Sequence, residues 1–183
     1  TTAIGSIAAY AFSRFQFKLK GTLFFILWFG QIIPPFGILI PLYMLLTDIG
    51  LYDNVIGLGI VYTAFLLPFS VWLMKSFFDL IPIELEEAAM VDGCSRWKAF
   101  TKILVPMAVP GVVTAFIYTF IATWNDFVFA LIFTAYNVRA VTVTVAEFVS
   151  ELHYTVDMLV TGAVIAIIPP VLLALIFRKF IIK

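Results

Sequence analysis

Cysteine, histidine and charged side chains are scarce in this 183-residue chain. Cys94 is the single cysteine, so a disulfide within the sequence is excluded, and no Cys and His residues stand at the spacing of a zinc site. His153 is the single histidine and has no second ligand four residues away. We therefore expect no catalytic residue and no metal site, and we interpret Cys94 as a small packing residue.

The chain also carries no net charge. Its 11 basic and 11 acidic residues cancel, and the basic ones are scattered rather than gathered into a stripe. This distribution argues against a nucleic-acid partner. Apolar residues are abundant instead: 63% of the residues are hydrophobic and only 12% are charged. Such a composition predicts an all-α membrane protein in contact with the lipid bilayer, rather than a soluble domain.

Long apolar runs predict the membrane helices. A bilayer core of about 30 Å needs about 20 helical residues at about 1.5 Å per residue. The apolar segment at residues 1–13 is shorter and has no starting Met, which suggests a helix cut at its N-terminus and does not fit a signal peptide. With this segment, four longer stretches predict five membrane helices: residues 22–46, 55–74, 103–123 and 158–177.

The basic residues indicate which loops face the cytoplasm. Ten of the 11 lie in three alternate loops, at residues 14–20, 75–102 and 178–183. The two remaining loops, at 47–54 and 124–157, hold only Arg139. Because cytoplasmic loops carry the excess of Lys and Arg, the first three loops and the C-terminus are placed inside the cell. Counting back through five crossings puts Thr1 outside, as expected if one helix precedes it.

The largest cytoplasmic loop has the local signals of two short helices joined at a glycine. Three acidic residues follow Pro82, which suits a first turn, and they stand where the helix dipole favours negative charge: Glu84, Glu86 and Glu87. Gly93 suits the left-handed position that ends such a helix, and Ser95 can cap the next one. On these grounds alone, a solvated amphipathic linker explains the loop equally well.

One face of the first short helix is predicted to be narrow. Small or short residues recur there at positions i, i+3, i+4 and i+7, namely Leu85, Ala88, Ala89 and Asp92. Glu84, Glu87 and Val91 form the neighbouring stripe. Because small residues let another surface come close, this face is a candidate contact site.

The same loop resembles a family signature, the EAA motif of ABC importer permeases. In that motif Glu-Ala-Ala is followed three residues later by Gly and, after nine more, by Ile-x-Leu-Pro. The matching positions are Glu87, Ala88, Ala89, Gly93, Ile103 and Pro106, with Val105 in place of Leu. Further segments resemble the carbohydrate-uptake, maltose permease-like subgroup along almost the whole chain: RFQFK, IPLY, LPFSVWLMKSFF, FIATWNDFVFAL and GAVIAIIPP.

The resemblance implies one permease domain over residues 1–183, with the transmembrane fold of a type I ABC importer. It implies six helices in the full-length protein and a short C-terminal tail beyond this sequence. It also implies a cytoplasmic coupling helix that docks in a cleft of an ATPase through seven residues: Glu84, Glu86, Glu87, Ala88, Ala89, Asp92 and Gly93.

The resemblance implies partners as well. They are a second permease, two ATPase subunits and an extracytoplasmic substrate-binding protein. ATP and magnesium would bind to the ATPase, and no cofactor is expected in this chain, which has no Gly-x-x-x-x-Gly-Lys-Ser/Thr phosphate loop.

Four residues are candidates for the substrate path: Gln31, Trp124, Asn125 and Asp126. A Trp ring can stack on a sugar, and amide and carboxylate groups can bind its hydroxyls. The favoured alternative is an interfacial Trp beside a helix-ending Asn-Asp pair. Prolines are expected to interrupt three stretches, for gating or as static packing kinks: Pro34, Pro35 and Pro41 with Gly37, then Pro68, then Pro169 and Pro170.

The expected cargo is a sugar, an oligosaccharide or a polyol. Glycerol phosphate or another small solute is the first alternative, but a phosphate path calls for clustered Arg or Lys and only Arg139 is available. An intramembrane enzyme is the second alternative, and it lacks a catalytic constellation because the acids are confined to loops. Glu147, Glu151 and Asp157 around His153 are interpreted as a solvated external rim, with docking of the binding protein as the alternative.

Overall fold

The structure is a computed structural model that describes residues 1–150 and 156–181 of the chain. These residues form helices and no strands, so the prediction of an all-α protein is confirmed. A 3-10 turn at Pro35–Ile38 precedes the third helix, and a π-helical turn at Phe100–Leu104 follows the sixth. The helices are α1 Thr2–Arg14, α2 Lys20–Phe29, α3 Leu39–Asp48, α4 Val55–Asp79, α5 Glu84–Val91, α6 Arg96–Ala99, α7 Val105–Met107, α8 Val109–Trp124, α9 Val128–Phe133, α10 Val141–Ser150 and α11 Val156–Ile181.

Two of these helices are long and apolar enough to cross a membrane. They are α4, with 25 residues, and the part of α11 that spans Val160–Arg178. Together they account for the predicted stretches at 55–74 and 158–177. Of the five membrane helices expected from the sequence, only these two are unbroken and of full length among the described residues.

The predicted stretch at 103–123 is bent. Arg96–Met107 and Val109–Trp124 meet at an angle of 77°, and only together do they reach the length of a span. Pro106 and Pro110 flank the bend, and neither has the N–H that a continuous helical ladder requires. The predicted stretch therefore lies in a bent pair of helices rather than in one straight helix.

The predicted stretch at 22–46 is broken, as its prolines predict. The helix α2 ends at Phe29, and the chain turns before the 3-10 segment that begins at Pro35. Pro34 and Pro35 lack the N–H groups that a helix would need at these positions, and α2 ends before it reaches them. The shorter helices α2 and α3 result.

The other predicted proline breaks are absent. Pro68 lies inside α4, and Pro169 and Pro170 lie inside α11, and both helices continue through them. A proline removes one hydrogen bond, which a long helix tolerates when the rest of its ladder and its neighbours hold it. These prolines therefore do not interrupt their spans.

Contacts divide the described residues into two compact units. The first contains Thr1–Ile32, Ala64–Thr119 and residues 179–181, and the second contains Ile33–Thr63 and the described residues from Phe120 to Arg178. In the first unit, one apolar core joins α1, α4, the segment that leads into α8 and α8 itself. It consists of Ala9, Tyr10, Val71, Met74, Phe78, Phe100, Leu104, Ala108 and Ala115.

Two glycines let helices of the first unit approach closely. Gly5 of α1 faces Ser70 of α4, and Gly111 of α8 faces the ring of Phe77. A Cβ atom at either glycine would overlap the facing side chain. Small residues have this role where membrane helices pack. In the second unit, α3 packs against α9, and Phe133 is fully buried.

Replacing Gly111 with Ala should destabilise the first unit by about 1–3 kcal/mol, the usual cost of overpacking. The overlapped atoms of Phe77 include its Cβ and Cγ, which a change of ring rotamer does not move far. Gly59→Ala is the matched control, because Gly59 is also helical and has open space around it. Thermal unfolding in detergent, followed by circular dichroism, would compare them. Equal melting temperatures would contradict the packing argument.

Candidate functional site

The helix α5 has the C-terminal structure that its sequence predicts. Gly93 has φ +87°, in the left-handed region. The N–H of Gly93 donates to the carbonyl of Met90 at 3.1 Å, and the N–H of Cys94 donates to the carbonyl of Ala89 at 2.9 Å. These two bonds form a Schellman motif, which gives the helix a defined end.

The start of α5 differs slightly from the prediction. Ile83 is the N-cap, and its carbonyl accepts the N–H of Glu87 at 3.1 Å. Pro82 therefore lies just before the helix rather than in its first turn. The next helix begins as predicted, because Ser95 Oγ accepts the N–H of Lys98 at 3.3 Å.

The predicted coupling residues divide between two faces of α5. Those that are exposed are Glu84, Glu87, Ala88, Asp92 and Gly93. Glu86 and Ala89 are only 3% and 8% exposed. These two side chains therefore lie on the inner face of α5, and the coupling role of the whole set stays a prediction. They share the inner face because they stand three residues apart on the helix.

Glu86 forms an ion pair with Arg14, the last residue of α1. Arg14 Nε lies 2.5 Å from Glu86 Oε1, and the two side chains are only 8% and 4% exposed. Arg14 Nη2 also donates to the carbonyl of Ile81 at 2.7 Å. Because a buried charge is costly unless it is paired and hydrogen-bonded, each member of this pair requires the other.

The same polar network reaches the end of α4. Arg14 Nη1 donates to Ser13 Oγ at 3.2 Å, and Ser13 Oγ donates to Asp79 Oδ1 at 2.6 Å. Lys75 Nζ donates to Asp79 Oδ2 at 2.5 Å. The sequence singles out Arg14 only as a cytoplasmic charge, since Glu86 lies 72 residues away and no local pattern links the two.

Polar groups of Trp124 and Asp126 are bound within the second unit. Trp124 ends α8, and its Nε1 donates to the carbonyl of Ala166 at 3.0 Å. Asp126 Oδ2 accepts the hydroxyl of Tyr62 at 3.0 Å and a backbone N–H of α9 at 3.1 Å. These contacts favour the structural interpretation of both residues. Asn125 between them is exposed, and its place in a substrate path stays a prediction.

Gln31 lies in the break that follows α2. Its Nε2 donates to the carbonyl of Phe65 at 2.7 Å, in the turn of α4 that precedes Pro68. The side-chain amide thus ties an irregular segment to a helix of the same unit. A substrate contact through Gln31 stays a prediction.

Asp53, which the sequence does not single out, organises a loop of the second unit. Its carboxylate accepts the N–H groups of four consecutive residues, 135–138, at 2.7–3.1 Å. These bonds, above all that from Asn137, lower the pKa of Asp53 from 3.8 to about 2. The loop lies 82–85 residues further along the chain, so no local signal reveals the contact.

The predicted external rim is described only in part. Arg139 forms an ion pair with Glu147 and also donates to the carbonyl of Ala135 at 3.1 Å. Asp157 is exposed. The candidates Glu151 and His153 lie outside the described residues. Within the described ranges, no three His, Cys, Asp or Glu side chains are grouped as a metal site would require.

Two long apolar helices, joined in sequence by a stretch that includes a short helix with exposed acidic residues, are typical of a membrane protein subunit. The chain belongs to the family of binding-protein-dependent transport system inner membrane components, whose model matches residues 1–183. The recognition of an ABC importer permease is thus confirmed. This family contains membrane transport subunits rather than enzymes.

Similar proteins agree with this assignment. The probable ABC transporter permease protein YurM of Bacillus subtilis is 37% identical over 184 residues, which cover 100% of this chain and 61% of the relative. The trehalose transport system permease protein SugB of Mycobacterium tuberculosis is 37% identical over 183 residues, 98% of this chain and 66% of SugB. The chain therefore spans less than two thirds of the length of either relative.

Comparison with a solved structure supports the fold. A crystal structure of a bacterial ABC transporter involved in the import of the acidic polysaccharide alginate matches with a TM-score of 0.74 and 24% identity. The match covers 97% of this chain and 70% of the other. The transmembrane fold of an ABC importer is therefore confirmed.

Replacing Asp53 with Asn should release the loop at residues 135–138. An Asn side chain has one acceptor oxygen in place of two, and its NH₂ group would face backbone donors. We expect hydrogen–deuterium exchange of these four amides to quicken by roughly tenfold or more at pH 7, since bonds to a charged acceptor are the strong ones. Asp48→Asn, at an exposed carboxylate of the same unit, is the control. Equal exchange in both variants would contradict the anchoring role.

The anchoring of this loop should also depend on pH in one direction. The folded-state pKa of Asp53 is about 2 and its ordinary value is 3.8. A carboxylate with a lowered pKa stabilises the folded state above its unfolded pKa and loses that effect as the pH falls through the folded one. Protection of these amides, corrected for intrinsic exchange, should stay constant down to about pH 4 and fall between about pH 4 and 2. Loss of protection already near pH 6 would contradict this assignment.

Proposed function

We propose that this chain is the membrane-spanning part of an ATP-driven importer and that α5 docks on a cytoplasmic ATPase. The observation that carries the proposal is a short helix that exposes Glu87 and Ala88 of the EAA sequence and ends in a Schellman motif. A short helix with a defined end can move as a body. It can therefore pass a displacement to the helices on either side of it.

The outward face of α5 suits a protein partner. Glu87 offers an exposed carboxylate to a basic or hydrogen-bonding group, and Ala88 allows close approach. Val91 is 86% exposed, and this large apolar exposure would be covered in a complex. An acidic group beside an apolar one matches the mixed character of protein interfaces.

The proposed orientation puts α5 and the C-terminus in the cytoplasm. It rests on the ten basic residues of the loops at 14–20, 75–102 and 178–183. The loop held by Asp53 would then face the opposite side. Arg139 and Glu147 belong to that side too, where their ion pair lies within reach of an extracytoplasmic protein.

The proposed partners are a second permease subunit, two copies of the ATPase and an extracytoplasmic binding protein. The family description supports the last of these, because it names binding-protein-dependent transport. ATP and magnesium would be held by the ATPase, which supplies the energy of transport. This chain would contribute the docking helix and one wall of the path.

The proposed cargo is a sugar, an oligosaccharide or a polyol. Support comes from the relatives, since SugB is described as a trehalose permease and the alginate importer carries a polysaccharide. A phosphorylated cargo has less support, because Arg139 already pairs with Glu147. Glycerol phosphate therefore remains the alternative that transport measurements distinguish.

Replacing Glu87 with Lys in the full-length permease should weaken or release the ATPase. A Lys at this exposed position would meet whatever basic group Glu87 pairs with, and like charges at an interface cost several kcal/mol. We expect ATPase binding to weaken by about tenfold or more, with loss of uptake. Co-purification and vesicle uptake assays measure both effects.

Asp48→Lys is the matched control for this charge reversal, because Asp48 is an exposed acid outside α5. It should leave both the ATPase complex and uptake intact. Glu87→Gln separates loss of charge from reversal of charge and should have a smaller effect. Normal uptake and ATPase binding in Glu87→Lys would overturn the docking assignment.

The cargo can be identified by ATPase stimulation. The full-length permease would be assembled with its partner subunits in nanodiscs, together with its binding protein. A panel of neutral mono- and oligosaccharides, polyols and glycerol phosphate would then be tested as ligands. At least one neutral carbohydrate or polyol should stimulate ATP hydrolysis, whereas stimulation by glycerol phosphate alone would replace the sugar assignment.

A further inference from the structure

The inner face of α5 has an unusual composition for a docking helix, because it buries a carboxylate. Glu86 is 3% exposed, so it is not available to a partner protein that approaches the outer face. An acid on the outer face would remain solvated at little cost, whereas this one is removed from water. A specific interaction has to stabilise it, and that interaction indicates what Glu86 does.

The guanidinium of Arg14 contacts both α5 and the connection that precedes it. Nε pairs with Glu86 Oε1 at 2.5 Å, and Nη2 donates to the Ile81 carbonyl at 2.7 Å. Ile81 lies in the connection between α4 and α5, and Glu86 lies in the first turn of α5. The rigid, planar fork of an Arg fixes the angle between two such acceptors, which a Lys side chain does not.

The end of α1 is held from a second side as well. Ser13, next to Arg14, donates to Asp79 in the last turn of α4. The ring of Phe15, which follows Arg14, lies under the guanidinium of Arg96 at 4.9 Å. The end of α1 thus contacts α4, α5 and Arg96 of α6, while the outer face of α5 remains exposed.

We propose that Arg14 and Glu86 are positioning residues for coupling, and that their buried ion pair makes the docking helix and α1 move together. This inference rests on the proposed docking of α5 and adds the route by which displacement of α5 reaches a membrane helix. The covalent connection to α4 is one route, and the ion pair is the other. Without the pair, α5 remains attached to the ATPase but moves independently of α1.

Glu86→Gln in the assembled full-length transporter tests the proposal. The variant keeps the shape of Glu86 and the whole outer face of α5, so the ATPase should still co-purify and its basal turnover should stay near wild type. Stimulation of ATP hydrolysis by the loaded binding protein should fall by about fivefold or more, the scale of a typical coupling energy. Arg14→Lys keeps the charge without the fork and should give an intermediate loss.

A double variant separates positioning from simple stability. Arg14→Met with Glu86→Met removes both buried charges, so thermal stability should return towards wild type. Stimulation should remain low, because the hydrogen bonds that orient α5 are absent. Full stimulation in Glu86→Gln, or recovery of both stability and stimulation in the double variant, would overturn the inference. If Glu86→Gln fails to assemble, the double variant alone decides.

The outcome is distinguishable from a failure of the proposed function. Glu87→Lys tests docking through the outer face and reports on retention of the ATPase. Normal transport in that variant removes the docking assignment itself. Normal stimulation in Glu86→Gln, with Glu87→Lys defective, removes only the positioning role. Asp48→Asn is the matched carboxylate-to-amide control and should retain both docking and stimulation.

Discussion

A chain surrounded by lipid has to satisfy its backbone N–H and C=O groups within the protein, because no water is available to do so. The long helices α4 and α11 meet this requirement through their own ladders. Polar side chains outside these two helices supply further donors to them, as when Gln31 donates to the carbonyl of Phe65 in α4 and Trp124 donates to that of Ala166 in α11. These polar side chains within apolar stretches thus donate hydrogen bonds to backbone carbonyls. Residues with the chemistry of sugar ligands therefore serve the fold as well.

The features that could be predicted from the sequence are those decided by near neighbours. The end of α5 at Gly93 and the cap at Ser95 each depend on bonds spanning five residues or fewer. The burial of Glu86 and the loop anchored by Asp53 depend on partners 72 to 85 residues away. Helical periodicity places three acids in one turn but does not show which of them meets an Arg. The resemblance to the EAA motif predicts the function, whereas the local helix signals predict only a short helix with a defined end.

The prolines also show that a local sequence feature does not by itself decide where a helix ends. Near Pro34 and Pro35, α2 ends before the two missing donors and the chain turns. Where Pro68 stands in a helix of 25 residues, the remaining bonds outweigh the missing one and the helix continues. The sequence predicts a break at both places, because it shows the missing N–H and does not show the hydrogen bonds around it. The arrangement in α11, which passes through a proline pair, shows that the surroundings decide.

The position of Cys94 at the end of α5 makes it a site for chemical labelling. It is the single cysteine among these 183 residues, it is partly exposed, and its N–H completes the Schellman motif. A thiol-specific fluorophore would therefore attach one residue beyond Gly93, at the C-terminal end of α5. Its emission would change when a partner covers that end of the helix. The natural sequence thus carries an optical reporter of docking that needs no engineered cysteine in this part of the protein.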